Sequence, residues 1–139
     1  MPSSSILLAI GGVLSGIGVM LGAFAAHSLK SLLAPYLLEV FQTGVMYQFI
    51  HALGVLVCAI AMKLPSIRDK GKKYFFRAAI CFIIGTLCFS GSLYALALTG
   101  IKWFGPITPF GGLLFIIGWG IFVFAALQSQ LTQTNEENL

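Results

Sequence analysis

Residues 5–26 read SILLAIGGVLSGIGVMLGAFAA, a run without a single charged side chain. At about 1.5 Å of rise per residue, a helix of this length crosses a hydrocarbon core of about 30 Å. Three more uncharged runs follow, at about residues 40–62, 78–99 and 109–127. Each has roughly 18 to 23 residues, which is the length that a bilayer requires. The sequence therefore predicts an all-α protein, an integral membrane four-helix bundle, with residues 1–127 as its single domain.

The composition supports a protein that folds in lipid. Hydrophobic residues make up 58% of the 139 residues and charged residues only 9%, whereas a soluble domain carries about a quarter charged residues. The net charge of +4 is concentrated in one connection rather than spread over a folded face. We therefore expect the lipid bilayer as the partner of this chain, and no nucleic acid.

The first apolar run also has to be compared with a secretory signal, because Ala23-Phe24-Ala25 resembles a cleavage site. Residues 1–5 contain no Lys or Arg, and the apolar run exceeds the roughly 7 to 15 residues of a signal core. We therefore predict that this run remains in the protein as its first helix.

The basic residues predict the orientation. The connection between the second and third runs carries one acid, Asp69, and six basic residues: Lys63, Arg68, Lys70, Lys72, Lys73 and Arg77. The other two connections offer only Lys30 and Lys102 as basic residues. Because positive charge is retained in the cytoplasm, we expect this connection and both termini to be cytoplasmic. Residues 128–139 are polar and are predicted to form a disordered cytoplasmic tail.

The two outer connections contain amphipathic and aromatic residues. Apolar side chains at helical spacing within residues 28–38 predict a short interfacial helix between the first and second spans, interrupted at Pro35. In the other connection, Trp103 and Phe104 are expected at the level of the lipid headgroups. Pro109 fits the first turn of the fourth helix, where its missing N–H costs nothing.

Small residues recur at helical spacing in the first and third spans. The first span carries Gly11, Ser15, Gly18 and Gly22, and the third repeats the pattern with Cys81, Gly85, Cys88, Ser92, Ala95 and Thr99. In lipid, close approach along small residues is what brings helices into van der Waals contact. We therefore expect the first and third helices to pack tightly on each other, although the same stripes could equally mediate a homo-oligomer.

The second span contains polar residues near the middle of the bilayer. If the helix begins near Phe41, His51 lies about 15 Å along it, with Tyr47 and Gln48 one turn above. Ionisable residues at such depth usually face the bundle interior and often mark function. One interpretation is a neutral histidine satisfied by neighbours, and the other is a ligand, ion or proton site around it. The candidate intramembrane site comprises Tyr47, Gln48, His51, Ser92 and Tyr94.

A second candidate site is expected at the outer face, from His27 and Thr108. His27 closes the first helix, where a histidine also favours the helix dipole. The three cysteines, Cys58, Cys81 and Cys88, form no CxxC pair and lie within apolar runs. We interpret them as small packing residues and predict neither a disulfide nor a metal site.

At these residues the chain resembles DUF423, or UPF0382, a bacterial family of small four-helix membrane proteins to which the eukaryotic transmembrane protein 256 is related. The matching segments are GAFAAH at residues 22–27, FQTGVMYQ at 41–48, HAL at 51–53, GSLY at 91–94, ITPFGG at 107–112 and GW at 118–119. Ala25 departs from the glycine that is common in the family. The resemblance implies a multi-pass protein of the bacterial inner membrane, and it carries no assigned activity, cofactor or catalytic residue.

Three functional classes remain. The first is a non-enzymatic accessory or scaffold protein that packs through its glycine-rich helix faces against itself or another membrane protein. The alternative is a small permease, channel or lipid-handling protein with its polar site around His51, although no Asp or Glu lies within a span. The third is a cofactor-binding protein or enzyme. We predict no enzymatic activity, because Ser90 and Ser92 lack a carboxylate that would orient His51 as their base. We also predict no cofactor, because His27 and His51, the possible ligands of a haem or a metal, differ in depth by roughly 10 Å or more on a helix that rises about 1.5 Å per residue.

Overall fold

The computed structural model describes residues 2–137, and the side chains of residues 3–129. Its four long helices are α1 at Pro2–Phe24, α2 at Pro35–Ala61, α3 at Asp69–Thr99 and α4 at Ile107–Glu137. All four are long and apolar enough to cross a membrane. The predicted fold class, an all-α membrane protein with four spans, is confirmed.

The connection between α1 and α2 differs from the prediction. No separate interfacial helix forms there, because α1 continues through a π-helical turn at Ala25–Leu29 into a helical turn at Lys30–Leu32. The helix then breaks at Ala34, which is extended with ψ of 146°. A residue before proline avoids helical geometry, and proline itself fits the first turn of a helix. Pro35 therefore begins α2 rather than interrupting a surface helix.

The four helices pack in chain order, each against the next. The main contacts join α1 to α2, α2 to α3 and α3 to α4. The prediction that the first and third helices pack tightly on each other is wrong. The glycines of the predicted stripe on α1 instead face α2: a β-carbon added at Gly18 would lie 3.1 Å from the ring of Phe49, and one at Gly22 would lie 3.5 Å from Val45. Spacing identifies the face of a helix that packs, but it does not identify the partner.

The closest approach is between α3 and α4. A β-carbon at Gly111 would collide with the backbone nitrogen of Phe89, and one at Gly118 would lie 2.7 Å from the ring of Phe82. On α3, a β-carbon at Gly85 would lie 2.6 Å from Phe115. Because glycine has no side chain, these positions allow the backbones of α3 and α4 to come into direct contact, as in other tightly packed membrane helices.

The start of α1 and the outer part of α4 lie beside the basic segment. Ser3 of α1 shares a pocket with Lys72 and Lys73, and Ser129 of α4 lies next to Gly71. Ser3, Ser129 and the basic connection are therefore at one end of the molecule, as the predicted cytoplasmic orientation requires.

α4 continues beyond the apolar span. The chain is helical to Glu137, and a disordered tail over residues 128–139 stays a prediction. No glycine or proline follows Gly120, and nothing in the polar stretch therefore interrupts the helix as it leaves the apolar span. Residues 138–139 of the predicted tail lie outside the described residues.

Candidate functional site: the polar and aromatic core

Gln48 joins three helices by hydrogen bonds. Its side chain is buried, and its Nε2 donates to the backbone oxygen of Leu14 in α1 at 2.8 Å. Its Oε1 accepts a bond of 2.7 Å from the hydroxyl of Tyr94 in α3. An amide can donate and accept at once, so a single residue of α2 ties α1 to α3. These bonds replace contacts with water that are absent at this depth.

Two serines of α3 make further links between helices. Ser90 donates to the backbone oxygen of Gly44 in α2 at 2.7 Å, next to the point where Tyr94 packs over Gly44. Ser92 shares a 2.7 Å hydroxyl-to-hydroxyl bond with Thr108 of α4. Ser90 and Ser92 of α3 therefore bond to neighbouring helices on both sides.

His51 is buried and bonded through both ring nitrogens. Trp119 donates from its indole Nε1 to His51 Nε2 at 3.1 Å, and His51 Nδ1 lies 2.8 Å from the backbone oxygen of Tyr47. An indole N–H can only donate and a carbonyl oxygen can only accept. The two bonds therefore fit one form of the ring, the neutral tautomer with its proton on Nδ1.

Aromatic rings enclose this histidine. The rings of His51 and Phe115 are stacked, with centroids 3.4 Å apart and planes 7° apart. Phe82 of α3 approaches from the side, and its ring centroid lies 5.4 Å from that of His51. The ring centroids of the adjacent pair, Tyr47 and Phe89, are 4.7 Å apart. Aromatic pairs at such separations stabilise a core beyond their buried area. His51 is thus part of the contact between α2 and α4.

A groove of about 680 Å³ lies between α2 and α4, over this cluster. His51 and Tyr47 contribute to its lining, and the other lining residues are mostly apolar. The exposed side chains of Ile116 and Trp119 lie along it. Met46, Ile50 and Leu113 of the lining are exposed apolar side chains, so the groove opens on the apolar flank of the bundle.

The predicted intramembrane site is distributed over three places rather than gathered in one. Gln48 and Tyr94 bond to each other between α2 and α3, Tyr47 and His51 line the groove, and Ser92 bonds to Thr108.

The predicted outer-face site is not assembled either. His27 is exposed on the π-helical turn, while the hydroxyl of Thr108 is taken up by its bond to Ser92. The residues proposed for helix packing are arranged in two groups. Gly11, Gly18 and Gly22 meet α2, Gly85 meets α4, and Ser15 bonds back to the oxygen of Gly11 at 2.8 Å.

Trp119 and Phe115 are the site residues that sequence reasoning did not assign. A tryptophan buried in lipid needs an acceptor for its N–H. Because Trp119 lies in the middle of an apolar span, this need could have identified it as a site residue. The acceptor could not be identified, because it depends on the register between α2 and α4.

The described residues contain no group of three or more His, Cys, Asp or Glu side chains that could hold a metal ion. Cys58, Cys81 and Cys88 are free thiols.

Together, the four spans and the hydrogen-bonded core define a small multi-pass membrane protein with a polar centre. The chain belongs to the family described as "Protein of unknown function (DUF423)", whose model matches residues 21–112. It is 40% identical over 124 residues to the UPF0382 membrane protein YwdK of Bacillus subtilis, covering 88% of this chain and 97% of YwdK.

Two further relatives give the same picture. The chain is 37% identical to a UPF0382 membrane protein of Staphylococcus epidermidis, over 88% of this chain and 96% of that protein. It is 33% identical to the UPF0382 inner membrane protein YgdD of Escherichia coli K12, over 91% of this chain and 92% of YgdD. These names agree with the inner membrane localisation predicted from the sequence. No solved structure matches the chain significantly.

Proposed function

We propose that this protein is a non-enzymatic accessory protein of the membrane, which holds a transmembrane helix against the outward face of α1. The bound helix belongs to a second copy of the chain or to another membrane protein. The observation that carries the proposal is a pair of glycines, Gly12 and Gly16, that point away from the bundle. A β-carbon added at either position would meet nothing within 4 Å.

α1 has glycines on two different faces. Gly11 and Gly18 are covered by α2, whereas Gly12 and Gly16 are exposed, and Ala9 and Ala23 extend the same outward face. Glycines four residues apart on an apolar helix allow a second helix to approach closely. The outward face therefore has the surface of a helix-packing site, but none of the chain's own described helices covers it.

The position of α1 in the bundle supports this proposal. Only 17% of its most apolar 18-residue stretch is buried in the protein, against 56% for α2. Side chains around the two glycines are strongly exposed, with Val13 at 60% and Met20 at 63%. A helix at the edge of the row is accessible from the bilayer along its whole length.

Replacing both glycines by leucine, Gly12→Leu and Gly16→Leu, is expected to weaken association by about tenfold or more, the equivalent of about 1.4 kcal/mol. The added side chains would keep a second backbone at a distance. The thermal stability of the single chain is expected to stay unchanged, since both side chains enter lipid. The measurements are energy transfer between labelled copies in liposomes, and affinity purification from native membranes with mass spectrometry.

The matched control is Gly120→Leu on α4, another glycine at which a β-carbon would meet nothing within 4 Å. This variant adds the same apolar bulk to the lipid-facing surface on a different helix, and association is expected to persist. Equal association in the double variant and the unaltered chain would contradict the proposal.

The groove between α2 and α4 favours a second candidate, a lipid-handling or small permease function. Its specific support is that Tyr47 brings a hydroxyl, and His51 an imidazole, to a lipid-facing groove. This function predicts that Tyr47→Phe, which keeps the ring and removes the hydroxyl, lowers lipid or solute flux in proteoliposomes several-fold without lowering thermal stability. An unchanged flux would contradict the lipid-handling or permease function.

A haem or metal site around His51 ranks third. Both ring nitrogens of His51 already take part in hydrogen bonds, and ligation of iron would require the loss of one of them.

A further inference from the structure

A pocket of about 500 Å³ lies at the basic end of the molecule, remote from the polar core. It is formed by the first turns of α1, the end of α2 and the first turns of α3, which contribute Ser3, Met62 and five residues of one α3 face. We propose that this pocket binds the phosphate-bearing headgroup of an anionic phospholipid.

The charge of the pocket comes from one face of α3. Asp69, Lys72, Lys73, Phe76 and Arg77 follow one another at intervals of three, one, three and one residues, which places all of them on the same side of a helix. Three of these side chains are cations and one is a carboxylate, so the face carries a net charge of about +2. Phosphate groups are bound by lysine and arginine side chains arranged in this way.

A residue of α1 lines the same pocket. Ser3 lies beside the cations of α3, and a serine hydroxyl can donate a hydrogen bond to a phosphate oxygen. The pocket therefore joins a polar residue of one helix to three cations of another.

The remaining wall is apolar. Met62 is buried, at 4% exposure, while Phe76 is 37% exposed and lines the pocket beside the cations. Among the three cations of the pocket, Lys72 is only partly exposed, whereas Lys73 and Arg77 are exposed. A free anion in water needs no apolar wall, whereas a phospholipid places its phosphate at the boundary between headgroups and acyl chains. The mixed lining and the location at the ends of three spans favour a lipid as the source of the phosphate.

The orientation of the protein in the membrane does not require its basic residues to lie in one pocket. Basic residues set the topology of a membrane protein by their number near the ends of the spans, and they need not share a pocket. Lys63 and Lys70 belong to the same basic segment but do not line this pocket. They provide a control in which the same charge is removed from elsewhere.

The test is native mass spectrometry of the full chain, released from nanodiscs of phosphatidylcholine that contain phosphatidylglycerol. The unaltered protein is expected to retain phosphatidylglycerol in preference to phosphatidylcholine. Lys72→Gln with Lys73→Gln is expected to lower that retention about a hundredfold, about tenfold for each hydrogen bond lost between a lysine and the charged phosphate. Lys63→Gln with Lys70→Gln should leave most of it, and Lys72→Arg with Lys73→Arg should restore it.

Three outcomes would overturn the proposal. An equal loss of phosphatidylglycerol retention in the two glutamine double variants would mean that overall charge, and not the pocket, attracts the lipid. Equal retention of both lipids by the unaltered protein would show that the pocket does not select a charged headgroup, and this comparison needs no variant. Full competition by inorganic phosphate alone would identify a site for a free anion rather than for a lipid.

Discussion

Gly111→Ala is expected to destabilise the protein by about 3 kcal/mol, the upper end of the range for an overfilled core. The added methyl group would collide with the backbone nitrogen of Phe89 and would lie 2.9 Å from the backbone oxygen of Gly85. Backbone atoms cannot move aside as a flexible side chain can, so α3 and α4 would have to separate. Unfolding in mixed micelles of mild detergent and SDS measures the change.

The neighbouring position provides the control. A β-carbon at Gly112 would lie 3.8 Å from the ring of Phe89, which is ordinary van der Waals contact. Gly112→Ala is therefore expected to be neutral, or stabilising by up to about 1 kcal/mol, because alanine favours helix over glycine. Equal stability of the two alanine variants would mean that α3 and α4 do not approach each other this closely.

His51→Ala is expected to cost about 2–5 kcal/mol, the range for removing a large buried side chain from a core. The substitution removes the ring that stacks on Phe115. It also leaves the indole N–H of Trp119 without its acceptor, which is unfavourable in an apolar medium. Thermal unfolding in detergent, followed by circular dichroism, measures the loss.

Trp119→Phe separates the hydrogen bond from the packing. It keeps an aromatic ring and removes the donor, so we expect a cost of about 0.6–1.7 kcal/mol, as for other hydrogen bonds between membrane helices. Because His51 and Trp119 act on each other, the double variant with His51→Ala should lose less than the sum of the single losses. Strict additivity would show that the two side chains do not interact.

The four spans could be predicted because the medium acts on each helix separately. A run without charges, such as residues 5–26, has to be about as long as the bilayer is thick. The positions of Lys63 and Arg77 likewise delimited the connection between the second and third spans. The helices nevertheless extend beyond the apolar runs, since α3 already begins at Asp69. Hydropathy measures the length of chain in lipid, and it does not measure the length of the helix.

The arrangement of the helices was beyond the sequence. Gly11 and Gly18 were recognised as packing residues, but their partner is α2 and not α3. In lipid the helix surfaces that pack and those that face acyl chains are similarly apolar, so burial leaves little trace in composition.

The polar site was also predicted only in part: its residues were recognised, but their partners were not. The residues of α2 that need partners, Gln48 and His51, could be predicted from their depth. Their partners in three other helices, Leu14, Tyr94 and Trp119, depend on helix register, which a single sequence does not encode in a readable form.

The outward face of α1 is the basis of the accessory function, and cross-linking from it in native membranes is the most direct test. A photoreactive diazirine amino acid at Met20, one turn beyond Gly16 on the same face, would lie next to any bound helix. We predict a discrete cross-linked product that disappears when Gly12 and Gly16 are replaced by leucine, while the same probe at the exposed Ile116 of α4 gives lipid adducts only. Lipid adducts alone from Met20, or a product that survives the leucine substitutions, would contradict the account.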